Sequence, residues 1–125
     1  MSSVLKYQIE HEVELLALLG DEPGWNSFLS EYAIETFKEA LLESETYLCE
    51  CEGKICGYIR AFVDGFGIYV SELYVAPQCR GNSFGAVLLE KVKEANPNQN
   101  VYVLSDEDMY YEKLGCRRIG SVYHF

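Results

Sequence analysis

The stretch from Ser71 to Leu89, SELYVAPQCRGNSFGAVLL, restricts the fold more than any other part of the chain. Leu73, Tyr74 and Val75 are β-prone and are stopped by Pro77, which has no N–H to give to a ladder. Phe84, Leu88 and Val92 recur four apart, with Val87 and Leu89 widening the same stripe, so a helix follows. Between them lies Gln78 to Gly85, a turn whose two glycines allow close backbone approach and whose helix start leaves several N–H groups without intrahelical partners. Such an end attracts anions. Val101 to Leu104 then reads as a short strand that pairs parallel to Leu73–Val75 through the intervening helix.

Further on, Tyr110 to Cys116 reads YYEKLGC. A strand ending in V-x-P, then R-G-x-x-x-G opening a helix, then Y-Y-E-K-L-G downstream, resembles the GNAT superfamily of N-acetyltransferases, in which the second segment reads F-Y-E-K-L-G-F. The resemblance implies acetyl-CoA as cosubstrate and direct acetyl transfer to a primary amine without a metal. Three departures stand out. Ser83 replaces a glycine of the family pattern R-x-x-G-x-G; its hydroxyl is suited to capping the helix, while its Cβ narrows the pyrophosphate seat. Ser105, Asp106 and Asp108 stand where the family often has an Asn, and Cys116 replaces an aromatic residue.

By this resemblance, Leu73, Tyr74 and Val75 would pair with the pantetheine amides as if with another strand, and a main-chain N–H at Val75 or its neighbour would polarise the thioester carbonyl. Arg80, Gly81, Asn82, Ser83, Phe84 and Gly85 would surround the pyrophosphate, with the Arg80 side chain either adding a charge or pointing to solvent. Tyr111 matches the acid that returns a proton to the thiolate, or else an aromatic that only packs on the cofactor. A phenol of pKa about 10 and a thiol of about 8.5 are close enough for the transfer. Glu72, on the face expected to carry Val70 and Tyr74, is the candidate base; binding the acceptor's ammonium group and facing solvent are the other roles open to it.

Charge narrows the partners. The formal net charge is -10, which argues against nucleic acid or an anionic membrane as the main partner. Residues 10 to 52 hold twelve acidic side chains and one basic one, Lys38, whereas Arg80 to Phe125 holds six of each. Because the N-terminal helices form much of the acceptor site in the family, the resemblance implies a cationic acceptor, a small-molecule or peptide amine. An acidic face that only keeps the protein soluble is the alternative. With no apolar run of membrane length and no signal-peptide pattern, a cytoplasmic location is the default expectation. The five cysteines, Cys49, Cys51, Cys56, Cys79 and Cys116, read as reduced thiols acting as small hydrophobes, since no C-x-x-C knuckle or nearby histidine supports a metal site.

At 125 residues the chain fits one domain, 1–125. In order, the pattern predicts a strand over Val4–Ile9, a helix over His11–Leu19 ended by Gly20, a loop around Trp25, and a second helix from Ser30, its cap, to Leu42. Trp25 is either a lid or an anchor packed beneath its loop. A meander follows over Thr46–Glu52, Ile55–Val63, with Ile55, Gly57, Ile59, Ala61 and Val63 sharing a face, and Ile68–Val75. A short helix over Asp106–Leu114 and a strand over Arg117–Phe125 complete the α/β order β-α-α-β-β-β-α-β-α-β around a mixed sheet, one strand short of the family. That leaves an edge that a second copy in a homodimer, or the charges of Arg117 and Arg118, would protect. The rival reading from another class is a non-catalytic acyl-CoA-binding sensor of the same fold.

Overall fold

The computed structural model describes residues 2–125. It opens with β1 (Ser2–Lys6), a 3-10 turn at Ile9–His11, and α1 (Glu12–Gly20). A second 3-10 turn, Pro23–Trp25, runs into the single-turn helix α2 (Asn26–Leu29), and α3 spans Ile34–Glu43. The meander is β2 (Glu45–Cys51), β3 (Lys54–Val63) and β4 (Gly67–Val75). After a 3-10 turn at Pro77–Cys79 come α4 (Phe84–Ala95), β5 (Asn100–Val103) and α5 (Asp108–Lys113).

One sheet runs in the order β1-β2-β3-β4-β5, antiparallel throughout except for the parallel β4–β5 pair made by the α4 crossover. Glu52 and Gly53, both at positive φ, make the two-residue turn between β2 and β3. At the next turn Asp64 Oδ1 accepts the N–H groups of Phe66 and Gly67, each at 2.8 Å. The sheet divides the core in two. Leu15, Leu19, Phe37 and Leu41 of α1 and α3 pack on Leu48, Ile55, Tyr58 and Tyr74. Phe84, Leu88 and Val92 of α4 cover Cys49, Ile59, Ala61, Ile68 and Val70 on the opposite face. Burying each such leucine contributes about 1.5–3 kcal/mol.

The structure departs from the sequence reading at several points. The segment 117–125 is not a strand. Its apolar side chains Ile119, Val122, Tyr123 and Phe125 are exposed, and Arg117 to Val122 run along a cleft instead of pairing. Ser30 does not cap the second helix: residues 26–29 form a turn of their own, the Ser30 hydroxyl donates to Ser27 O at 3.3 Å, and α3 begins only after Ala33. Ile55 does not share a face with Ile59, because the β2–β3 register passes from Cys49↔Gly57 to Glu50↔Ile55 and leaves Cys56 as a bulge. Val87 points outward, at 39% exposure, so the buried stripe of α4 is narrower than its sequence suggests.

Several tyrosines are built into this core. Tyr7, Tyr47 and Tyr74 are each pushed up to about 12, first by burial and then by carboxylates, Glu12 beside Tyr7, Glu45 beside Tyr47 and Glu22 beside Tyr74. In the unfolded chain the same phenols titrate near about 10. The neutral phenols therefore support the fold fully below that pH, and as pH rises the unfolded chain releases its protons first. We expect the urea midpoint to hold up to about pH 10 and to fall as pH climbs towards 12. A denaturation series across that range checks it.

Candidate active site

The site begins with an irregularity in β4. Arg60 faces Glu72 and Ala61 faces Val70, so Ser71 is an extra residue, a β-bulge. The bulge turns Glu72 and Tyr74 to the α1/α3 face while Leu73 and Val75 join Val70 on the α4 face. Glu72 therefore shares a face with Tyr74 but not with Val70, contrary to strict alternation. Parallel pairing with β5 covers only Gly67–Val70 against Asn100–Val103, with one further bond from Leu104 N–H to Val70 O. Beyond it the two strands part. Ala76 N–H bonds Cys56 O, so by antiparallel alternation Tyr74 and Glu72 also bond to β3. Leu73 thus presents its N–H and C=O, and Val75 its N–H, to the opening, while Val75 O accepts from Arg80 Nε.

The start of α4 lies beside that edge. Gly81 has φ 86° and Ser83 φ 65°, and the Asn82 amide donates to Cys79 O at 3.0 Å, so the turn folds tightly before Phe84. The first α4 bond between Val87 N–H and Ser83 O leaves the N–H groups of Phe84, Gly85 and Ala86 free of intrahelical partners. The Ser83 hydroxyl makes no cap, contrary to expectation, because the left-handed conformation turns its side chain away from the helix donors. A serine in that conformation costs about 1–2 kcal/mol that glycine escapes. Ser83→Gly is expected to stabilise the fold by about 0.5–1 kcal/mol after the extra freedom of glycine in the unfolded chain is allowed for, while Ser83→Ala changes little. Urea midpoints of the two variants test this.

Helix α5 closes the other side. The Tyr110 hydroxyl sits where a Gly85 side chain would be, so the glycine lets α5 dock on the first turn of α4. Tyr111 is half-buried, and burial, followed by neighbouring Tyr110 and Asp106, pushes its phenol well above the ordinary range. Tyr111, Glu72, Ser71, Trp25, Phe28 and Asp106 line one open cleft of about 1570 Å³. Its floor holds a polar network. Both Glu72 carboxylate oxygens are taken by Arg60, from Nε and Nη2 at 2.6 Å each, and Oε1 also accepts the Tyr58 hydroxyl at 3.0 Å. Burial and then the Glu72 charge raise the Tyr58 phenol well above its usual value.

The strand, the glycine turn with its helix, and the tyrosine helix follow one another in the order that the sequence motifs imply, and residues 43–117 match the family model for the acetyltransferase (GNAT) domain. The chain belongs to the GNAT acetyltransferase family. The family's cosubstrate is acetyl-CoA. A comparison with curated proteins gives no match. Among solved structures, the ribosomal-protein-alanine N-acetyltransferase from Brucella melitensis biovar Abortus is 16% identical, with a TM-score of 0.73 over 100% of this chain and 98% of that one. An aminoglycoside acetyltransferase from an uncultured soil metagenomic sample is 23% identical, with a TM-score of 0.70 over 100% and 96%. A transcriptional regulator from Bacillus halodurans is 14% identical, with a TM-score of 0.74 over the whole of both chains. At these identities the likeness is one of fold.

Within this GNAT domain, Leu73 and Val75 lie on the stretch of β4 that β5 leaves unpaired, and the turn from Gly81 to Gly85 leads from that strand into α4. Tyr74 instead points its side chain to the α1 face, where its hydroxyl meets Glu22 Oε1 at 3.0 Å. Arg80 folds back along β4 instead of reaching over the turn, and its side chain stays 58% exposed. Its Nε donates to Val75 O at 2.8 Å, and its guanidinium lies 5.9 Å from the Tyr74 ring and 4.0 Å from Glu22. Trp25 is an anchor, with ring centroids 5.2 to 5.7 Å from Phe28, Tyr74 and Tyr58, and it also lines the cleft. Arg60, Tyr58 and Tyr110 were not singled out by the sequence. Arg60 and Glu72 lie twelve residues apart, across a hairpin, and only the bulged register brings them opposite.

Proposed function

We propose that this domain transfers the acetyl group of acetyl-CoA to a primary amine of a cationic small molecule or peptide. The observation that carries this reading is the edge of β4 at Leu73 and Val75, left without a β5 partner just before the turn into α4, while Ser71 and Glu72 of the same strand line the cleft that Tyr111 also lines. Bound acetyl-CoA supplies an acetyl group activated as a thioester. The Leu73 N–H and C=O offer strand-like partners to the pantetheine amides, and the Val75 N–H is suited to polarising the thioester carbonyl. The N–H groups from Gly81 to Ala86 hold the anionic pyrophosphate.

Tyr111 acts as the acid. Its raised pKa keeps the phenol protonated through the neutral range, ready to return a proton to the departing thiolate. Glu72, fixed by Arg60 and Tyr58, orients the amine and takes its proton directly or through water. Trp25 and Phe28 give the cationic acceptor aromatic faces beside that carboxylate. The compartment that fits this chemistry is the cytoplasm.

The test is calorimetric titration of acetyl-CoA, followed by thiol release across a panel of polyamines, aminoglycosides, amino acids and peptide N-termini. Tight binding and release with at least one amine are expected. Tyr111→Phe should retain binding and lower kcat by about 10²-fold, the scale of one general acid. Binding without release for any amine would favour the sensor reading, and absence of binding would overturn the cofactor assignment.

A further inference from the structure

One side chain holds both residues at the bend of β4. Arg60 sits opposite the bulge. Its Nε and Nη2 grip Glu72, Nη2 also reaches Ser71 Oγ at 3.1 Å, and Nη1 donates to Ser44 Oγ at 2.9 Å where α3 passes into β2. The Phe62 ring lies 4.9 Å from the guanidinium carbon. Arg60 is only 9% exposed and does not line the cleft, so any effect it has on the reaction passes through Ser71 and Glu72, which do. A planar fork of fixed donors suits this task, since it sets the angle between two acceptors as well as their distance.

We propose that Arg60 is a positioning residue for acetyl transfer. By clamping Ser71 and Glu72 together it fixes the bulge, and with it the point at which β4 leaves β5 and presents Leu73 and Val75 to the thioester. The proposal rests on the reading of that edge as the acetyl-CoA seat. Ser44 holds the far nitrogen of the guanidinium at the α3–β2 corner, outside the cleft.

Arg60→Lys keeps the charge and the ion pair but loses the fork. It is expected to melt within a few degrees of wild type while binding acetyl-CoA about ten-fold more weakly, because small displacements of a reacting edge are costly. Its Glu72 and Tyr74 amides should exchange hydrogen faster even without ligand. Ser71→Ala, which cuts the bond at the bulge, should weaken acetyl-CoA binding, whereas Ser44→Ala, which cuts a bond of the same guanidinium away from it, should lower stability alone. Wild-type affinity in Arg60→Lys, or equal weakening by Ser71→Ala and Ser44→Ala, would overturn the positioning role. If wild type itself fails to bind acetyl-CoA, the cofactor reading falls and this proposal with it, a result recognisable before any substitution is made.

Discussion

Glu72→Leu should cost the fold about 3–5 kcal/mol, because it strands the Arg60 guanidinium in a buried position with no counter-charge. The carboxylate is 7% exposed and accepts three hydrogen bonds, so the substitution also leaves the Tyr58 hydroxyl without its acceptor. Removing both charges is a different perturbation. In Arg60→Met/Glu72→Leu no ion is left unpaired, and most of the lost stability should return, short of about 1–3 kcal/mol for the orphaned phenol. Urea unfolding of the two singles and the double closes the cycle. Stability that returns without acetyl transfer would separate the structural work of the pair from its place in the cleft. A single mutant as stable as wild type would mean that the pair is not buried in solution.

Gly57→Ala should be nearly as damaging, at about 2–3 kcal/mol, for a reason of shape rather than charge. A Cβ at Gly57 would lie 2.5 Å from Tyr74 O, 3.1 Å from Cys49 Sγ and 3.3 Å from Val75 Cα. Two of those atoms are backbone of β4, so rotamer changes alone cannot make room and the strand must shift. In a domain of this size such a loss lowers Tm by about 8–12 °C. The displaced atoms belong to the very edge assigned to the thioester. Acetyl-CoA affinity should therefore fall further than Tm alone implies, as paired calorimetry and melting curves on the variant would reveal.

The sequence discloses what is local. The strand that ends before Pro77, the turn with Gly81 and Gly85, and the helix carrying Phe84, Leu88 and Val92 are each specified by neighbours a few residues away, and all three form as read. What the sequence conceals depends on partners across the sheet. The bulges at Cys56 and Ser71 each shift one strand by a residue against another, and no periodicity within a single strand announces them. The clamp on Glu72 follows from the second bulge and was hidden with it. Ser83 misled for another reason: its type suggests a cap, but its backbone adopts the conformation for which glycine is suited. The tail from Arg117 carries strand-like residues, yet it runs along the cleft without joining the outer edge of β5, and alternation within the tail does not specify such a pairing.

The parallel contact between β4 and β5 has a consequence for how the molecule comes apart. It is four residues long, its β5 side chains are at best half-buried, and it joins segments separated by the whole α4 crossover. The antiparallel strands β2 to β4, by contrast, carry buried side chains on both faces. Opening of lowest free energy should therefore release β5 and α5 as a unit and leave the meander folded. A molecule in that state would keep its spectroscopic signature of a native sheet while lacking Tyr111. The fraction of chains competent for transfer is then set by this small subglobal equilibrium, and acetyl-CoA, by bridging β4 to the far wall, would draw that equilibrium closed.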